Sequence, residues 1–166
     1  MQLGRICRHI ALPDWWVRRR ISKASLHAIK KAVAASETMH RGELRFVFEA
    51  TLPLSEVWSG RPIRERALDA FSDLRVWDTE NNSGVLIYIE LLDRRVEIIA
   101  DRGINACVDK NFWETVCHRM EAAFSHGEFE AGCLAALEEI TAMLATHYPV
   151  ADASNPNELP DRPALR

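Results

Sequence analysis

Residues 85–91 constrain the fold of this chain more than any other segment. Their sequence, VLIYIEL, is rich in β-branched and aromatic residues and is apolar on both of its alternating faces. A strand with two apolar faces must be covered on both sides, as in the centre of a sheet that lies between layers of helices. We therefore expect a central strand here, with helices above and below it.

The segments around this strand predict the rest of a mixed sheet. Residues 42–50 alternate in polarity and are typical of a strand, while residues 95–100 return from the central strand as a hairpin. Apolar residues at helical spacing predict four longer helices, at residues 22–39, 61–76, 110–125 and 128–147. The helix between the first two strands implies a right-handed parallel crossover. The predicted fold class is α/β, a three-layer α/β/α sandwich with a short mixed β-sheet and helices on both faces.

The two ends of the chain differ in composition from its middle. The 166 residues are enough for one domain with a proper core. Residues 1–31 hold eight arginines and lysines against one acid, although the whole chain has a net charge of −3. We assign residues 1–24 to a basic, Trp-containing N-terminal arm and residues 25–148 to the folded domain. Residues 149–166 are rich in Asn, Asp and Pro, which predicts an extended, disordered tail.

Paired tryptophans stand beside three arginines in the N-terminal arm. Tryptophan favours the membrane interface and arginine favours anionic lipid, so this arm is a candidate for contact with a peripheral membrane surface. The alternative is that the rings cover the core and that the arginines pair with the acidic body of the protein. The residues concerned are Trp15, Trp16, Arg18, Arg19 and Arg20.

Other features bear on the compartment. The chain has no apolar run of 18 residues, and its N-terminus lacks the apolar core and cleavage site of a secretory signal. Its four cysteines show neither a CxxC pair nor a regular spacing, which is typical of reduced thiols. We therefore expect a cytoplasmic location, with at most a peripheral association with the membrane.

The predicted topology brings three polar segments to one edge of the sheet. The two parallel strands begin at this edge and the antiparallel third strand ends there, so carboxylates and amides should gather at it. Oxygen ligands of this kind suit Ca²⁺ or Mg²⁺. The alternative is a set of Asx turns that lead into the central strand, with Gly84 required for the backbone shape. The candidate metal ligands are Glu43, Asp78, Asn82 and Asp101.

Other chemistries have weaker support in the sequence. It contains no GxSxG, Walker A, GxGxxG or HExxH motif, so we expect no organic cofactor. The six histidines are scattered, and neither Cys107 nor Cys117 has an evident orienting base nearby. Aromatic and basic residues do not interleave along one strand, which argues against a nucleic-acid partner.

Three segments resemble the TPM-domain family, which is named after a thylakoid lumen protein, a photosystem II repair protein and a levamisole-receptor modulator. They are residues 42–47 (GELRFV), 82–88 (NSGVLIY) and 93–98 (DRRVEI), and the resemblance extends over residues 25–147. It implies an α/β/α sandwich, in agreement with the order of elements derived above. It maps family features to Glu43, Asp78, Asn82, Gly84, Asp93 and Asp101. The chain departs from the family in lacking a signal peptide, a membrane anchor and a glycine-rich tail, and in reading Asp101-Arg102-Gly103 where the family has glycine-aromatic-glycine.

The resemblance also implies two kinds of function. Some members look like accessory or assembly factors for membrane complexes, whereas others are described as phosphatases or calcium binders. Bacterial members are often encoded near LemA-like membrane proteins. Because no nucleophile is evident, we expect a non-enzymatic binding or assembly module that depends on a divalent cation, Ca²⁺ or Mg²⁺. Its expected partner is a LemA-like or other membrane protein. The alternative is a metal-dependent phosphatase in which Arg75 or Arg102 clamps the phosphate.

Overall fold

The sheet has four strands in the order β3-β2-β1-β4. A computed structural model describes residues 2–150 and 157–166. In it, β1 and β2 are parallel from the pair Glu43–Gly84 to the pair Glu49–Glu90, and β2 and β3 are antiparallel. The strands are β1 (Glu43–Glu49), β2 (Gly84–Glu90), β3 (Arg95–Ala100) and β4 (Ala164–Leu165). The predicted parallel crossover and hairpin are both confirmed.

Helices lie on both faces of this sheet. Those of the described residues are α1 (Gln2–Ala11), α2 (Asp14–Val17), α3 (Lys23–Ser36), α4 (Leu54–Ser59), α5 (Ile63–Asp73), α6 (Arg102–Asn105), α7 (Lys110–Ser125) and α8 (Phe129–His147), with a 3₁₀ turn at Arg18–Arg20. Side chains define the starts of two predicted helices: Ser22 Oγ accepts from Ser25 N at 2.9 Å, and Asp109 Oδ1 accepts from Asn111 N at 2.7 Å.

The two faces of the sheet carry separate apolar cores. Leu44, Phe46 and Phe48 point from β1 into the larger core, which α3, α7 and α8 cover. Val47 and Tyr88 lie in the smaller core, which α5 covers. Every residue of β2 is buried, as its two apolar faces predict. The α/β/α sandwich with a short mixed sheet is therefore confirmed.

Residues 157–166 do not form the predicted disordered tail. Ala164 and Leu165 pair with Val47 and Phe48 as β4, and Leu159 is buried in the smaller core. The reason is that β1 would otherwise expose the backbone groups of an open sheet edge, which a short terminal strand can satisfy. Residues 151–156 of that predicted tail lie outside the described residues.

The N-terminal arm is helical and forms part of the folded body. Val17 and Ile21 belong to the larger core, and α1 packs against α4. Trp15 and Trp16 are 61% and 44% exposed, so most of Trp15 faces outward, whereas Trp16 is more than half covered. The arm therefore fixes its tryptophans at the surface.

Candidate functional site

The three polar segments predicted to meet at one edge of the sheet do meet there. Glu43 is the register partner of Gly84, and Glu43 N donates to Ser83 O at 3.1 Å. Asp101 N donates to Gly84 O at 2.8 Å. We call this edge the loop end of the sheet. The opposite edge, where β1 and β2 finish at Glu49 and Glu90, is the arm end.

At the loop end, the carboxylate of Glu43 is already engaged by the C-terminal segment. The side chain is buried, and its Oε2 accepts from Leu159 N at 3.0 Å. Burial raises the pKa of this carboxyl group above its usual range, with nearby Glu158 and Asp161 adding to the effect. Glu43 is therefore a satisfied, buried acid that ties the C-terminal segment to β1.

The loop from residue 78 to residue 84 is held mainly by Thr79. Its carbonyl accepts from Asn82 N at 3.2 Å and its hydroxyl accepts from Ser83 N at 2.9 Å, whereas the Asp78 side chain is exposed. A Cβ on Gly84 would lie 1.9 Å from the carbonyl oxygen of Val76, so this position tolerates only glycine. The glycine requirement is confirmed, but Thr79, and not the predicted Asp78 or Asn82, supplies the side-chain bond to the loop backbone.

The remaining predicted ligands at the loop end interact with an arginine. Arg102 Nε donates to Asn82 Oδ1 at 3.0 Å, and Asp101 Oδ1 accepts from Arg102 N at 2.7 Å, capping α6. Asp101 Oδ2 is buried without a hydrogen-bond partner among the described residues. Arg75, the other predicted anion clamp, is exposed at a left-handed backbone position with φ 51°.

These side chains do not fit a preformed cation site. Glu43 is bonded to Leu159, and the guanidinium of Arg102 lies on the amide oxygen of Asn82 that a cation would use. Within residues 2–150 and 157–166, no group of three His, Cys, Asp or Glu side chains is placed to hold a metal ion. Cation binding at the loop end stays a prediction, and it requires Arg102 to move away from Asn82.

The arm end holds a buried polar network that the sequence did not indicate. Arg66, from α5, pairs with the buried carboxylate of Glu49 and also with Glu56 at 3.1 Å. The hydroxyl of Tyr88 donates to the same Glu49 carboxylate. Burial is the larger cause and this hydrogen bond the second cause that raise the pKa of Tyr88. Sequence alternation places Glu49 on a polar face, but no pattern in the sequence links it to Arg66.

Two further acids, Glu90 and Asp93, lie at the arm end, and Asp93 binds side chains of α1. Glu90 is fully buried and accepts from Leu92 N at 3.0 Å and Asp93 N at 2.7 Å, and burial raises its pKa to about 8. Burial of Asp93 opposes its ionisation, but hydrogen bonds from His9 and Arg5 outweigh this and lower its pKa to about 2. His9 Nδ1 accepts from Leu52 N at 3.1 Å, so Nε2 carries the proton that is donated to Asp93.

The five predicted membrane-contact residues have two different roles. Arg20 donates to the carbonyl oxygens of Leu91 and Leu92 at 2.7 and 3.2 Å, so it anchors the arm to the sheet. Arg18 and Arg19 are exposed, and the guanidinium of Arg19 lies 5.3 Å from the ring centre of Trp15. Two arginines and two tryptophans of the arm therefore face outward together.

Neither of the two more buried thiols, Cys117 and Cys133, is activated as a nucleophile. All four cysteines are free, as predicted. Burial raises the pKa of Cys117 to about 12 and also raises that of Cys133. Cys107 is exposed and forms a hydrogen bond with the hydroxyl of Tyr148.

None of the helices in the described ranges is both long and apolar enough to span a bilayer.

Comparisons with known proteins agree with this architecture. The NMR structure of the BA42 protein from the psychrophilic bacterium Bizionia argentinensis matches with a TM-score of 0.77 and 28% identity, over 88% of this chain and 95% of that chain. The solution structure of the N-terminal domain of a protein from P. gingivalis matches with a TM-score of 0.61 and 20% identity, over 80% of this chain and 83% of that chain, and shows the fold alone. No curated protein matches the chain. The family model for the TPM domain matches residues 19–143, which confirms the resemblance seen in three short segments. Since this match extends over well more than half of the sequence, the chain belongs to the TPM-domain family.

Proposed function

We propose that this TPM domain is a non-enzymatic binding and assembly module that docks at a membrane surface through its N-terminal arm. The observation that carries the proposal is the pair of exposed indoles, Trp15 and Trp16, beside the exposed Arg18 and Arg19. The partner that the family resemblance implies is a membrane protein at that surface, LemA-like or other.

Rigid attachment supports the use of this surface for docking. Val17 is buried in the core, and Arg20 holds two carbonyl groups at the end of β2, so the short α2 cannot turn its indoles inward without breaking these contacts. Exposed indoles fixed in this way gain free energy at a lipid interface without first unfolding the arm. Each nearby basic residue adds about 1 kcal/mol of attraction to an anionic leaflet.

Other large apolar side chains are exposed on α1 and α4. Ile10 at the end of α1 is exposed, and so are Leu54 and Trp58 on α4, the helix against which α1 packs. Leu54 and Trp58 are four residues apart and share one face of their helix. Clusters of exposed large apolar side chains commonly mark interaction surfaces.

A binding role also agrees with the acid–base groups of the arm end. The Asp93–His9 contact resembles the pair of a catalytic histidine and the acid that orients it. However, the other ring nitrogen of His9, Nδ1, already accepts a hydrogen bond from Leu52 N. This histidine therefore cannot take a proton from a nucleophile without losing a backbone hydrogen bond. The phosphatase alternative is tested separately, by comparing the phosphatase activity of the wild type with that of Asp78→Ala.

Liposome flotation tests the proposal. We expect the wild type to float with vesicles that contain phosphatidylserine, and the Trp15→Ala/Trp16→Ala variant to lose binding by about tenfold, equivalent to about 1.4 kcal/mol. Trp77→Ala is the matched control, because Trp77 is 50% exposed at the other end of the sheet and should float like the wild type. Equal flotation of all three proteins would refute docking through the arm.

A further inference from the structure

A cleft of about 550 Å³ at the arm end is lined mainly by arginines. It lies between α1, the start of α5 and the β2–β3 hairpin. The charged lining residues are Arg5, Arg8, Arg61, Arg64, Arg95, Asp93 and Glu97. The lining thus has an excess of three positive charges, although the chain as a whole has a net charge of −3.

Two of these guanidinium groups are available to a ligand. Arg5 is committed to the buried Asp93, and Arg61 and Arg95 form ion pairs at 2.8 Å with Asp69 and Glu121. The side chains of Arg8 and Arg64 are 59% and 56% exposed, and their contacts with Asp93 and Glu97 are longer, at 3.5 and 3.3 Å. Guanidinium groups that are exposed and form only long ion pairs can reorient to donate hydrogen bonds to a bound anion.

The first turn of α5 adds backbone donors to the same cleft. Gly60, Pro62 and Ile63 line it, and none of the described side chains caps this helix. Side chains cap α3 and α7, whereas α4 and α8 resemble α5 in having no side-chain cap. The amide groups at an uncapped helix start carry partial positive charge and favour an anion placed over them.

The position and size of the cleft suit a small ligand. It lies beside the β2–β3 hairpin, at the end of the sheet where β1 and β2 finish. Its volume is within the range of small-molecule sites and is too small to enclose a macromolecule.

We propose that this cleft binds a small phosphorylated anion, a phosphomonoester or a diphosphate, through Arg8, Arg64 and the first turn of α5. A phosphoryl group has three terminal oxygens, so it can accept from two guanidinium groups and from backbone amides at once, whereas a carboxylate has two oxygens. Such an anion belongs either to a soluble metabolite or to a lipid headgroup at the membrane surface. This site is separate from the indoles of the proposed docking surface and does not depend on them.

Titration with inorganic pyrophosphate, followed by calorimetry and amide NMR, tests the soluble source. We expect binding to the wild type, with shifts at the amides of Ile63 and Arg64 and none at the capped start of α7. Arg8→Ala/Arg64→Ala should weaken binding by at least about tenfold, because two charge-assisted contacts are removed. Arg18→Ala/Arg19→Ala removes the same charge from exposed positions outside the cleft and should bind like the wild type.

Flotation on vesicles of equal charge tests the lipid source. The wild type should bind more strongly to vesicles with phosphatidic acid than to vesicles with phosphatidylserine if the ligand is a headgroup monoester. This preference should be lost in Arg8→Ala/Arg64→Ala and kept in Trp15→Ala/Trp16→Ala. If the wild type neither binds pyrophosphate nor prefers vesicles with phosphatidic acid, the proposal is wrong. Equal weakening of pyrophosphate binding by the two arginine double variants would also overturn it, because that result indicates attraction to net charge rather than to this cleft. Thermal unfolding of each variant checks that the fold is kept.

Discussion

The loop end and the arm end of the sheet use their polar residues differently. At the loop end, the folded chain bonds two of the predicted oxygen ligands to other parts of itself: Asn82 accepts from Arg102, and Glu43 accepts from Leu159. At the arm end, arginines from α1 and α5 meet the β2–β3 hairpin from distant parts of the chain and leave an open basic cleft. The polar residues that are conspicuous in the sequence therefore form a closed turn at the loop end. Basic residues that are dispersed along the chain line the accessible cleft at the arm end.

The strictest packing requirement is at the loop end. In Gly84→Ala, the new Cβ would meet the backbone oxygen of Val76, which cannot move without disturbing the end of α5 and the start of β2. We expect a loss of about 3 kcal/mol or more in the free energy of unfolding, measured with urea. Gly4→Ala is the control, since a Cβ there meets no described atom within 4 Å and alanine favours a helix. A loss below about 0.5 kcal/mol, the level of an ordinary surface substitution, would contradict this close approach.

The arm end should depend most on its buried ion pair. In Glu49→Gln, Arg66 keeps Glu56 but loses its buried partner, and Tyr88 loses a charged acceptor. We expect a loss of about 2 kcal/mol in stability by urea unfolding, because removing one partner leaves a half-buried charge poorly compensated. Glu139→Gln makes the same change in the exposed Arg119 pair and should cost less than about 1 kcal/mol. Equal losses in both variants would show that burial at the arm end is unimportant.

The pH dependence of stability should separate Glu90 from the exposed acids. Its folded-state pKa of about 8 is above that of an ordinary glutamate, so the folded state binds more protons than the unfolded state between about pH 4.5 and 8. Stability from this group therefore falls as pH rises through that window. We expect Glu90→Gln to reduce the downward slope by about 1 kcal/mol per pH unit, measured by urea unfolding from pH 5 to pH 8.

Two features make this measurement interpretable. Burial also raises the pKa of Glu37 to about 8, but that group is present in both proteins and cancels in the difference. Arg5, Arg20 and Asp93, the charged groups that interact with Glu90, are likewise present in both proteins. Glu114→Gln, an exposed carboxylate on α7, should leave the slope unchanged. Parallel pH profiles for the wild type and Glu90→Gln would refute a raised pKa at Glu90.

Sequence periodicity was sufficient for the parts of the fold that long apolar runs determine. The two apolar faces of β2 predicted its central position, and the crossover between β1 and β2 predicted that Glu43, Gly84 and Asp101 meet. The sequence did not predict strand β4, because two residues are too few to show the alternation of polar and apolar residues that marks a strand. Its stability comes from pairing with the open edge of β1.

The arm end was missed for a different reason. The contact between Glu49 and Arg66 and the cleft around Arg8 and Arg64 join residues that no local pattern connects. The basic arm did suggest pairing with the acidic body, and Arg5 and Asp93 form such a pair. Which arginines would remain accessible depends on the packing of α1 against the hairpin, and only the three-dimensional structure shows this.

The smallest expected effect concerns cation binding at the loop end. Arg102 places a positive charge on the amide oxygen of Asn82, so it competes with any divalent cation at this loop. We expect millimolar Ca²⁺ to shift the amides of residues 78–84 weakly in the wild type and severalfold more strongly in Arg102→Ala, measured by NMR titration. Arg119→Ala, which removes an exposed arginine from α7, should behave like the wild type. If Ca²⁺ shifts these amides in none of the three proteins, the loop end binds no cation, and its carboxylates and amides serve only to shape the entry into β2.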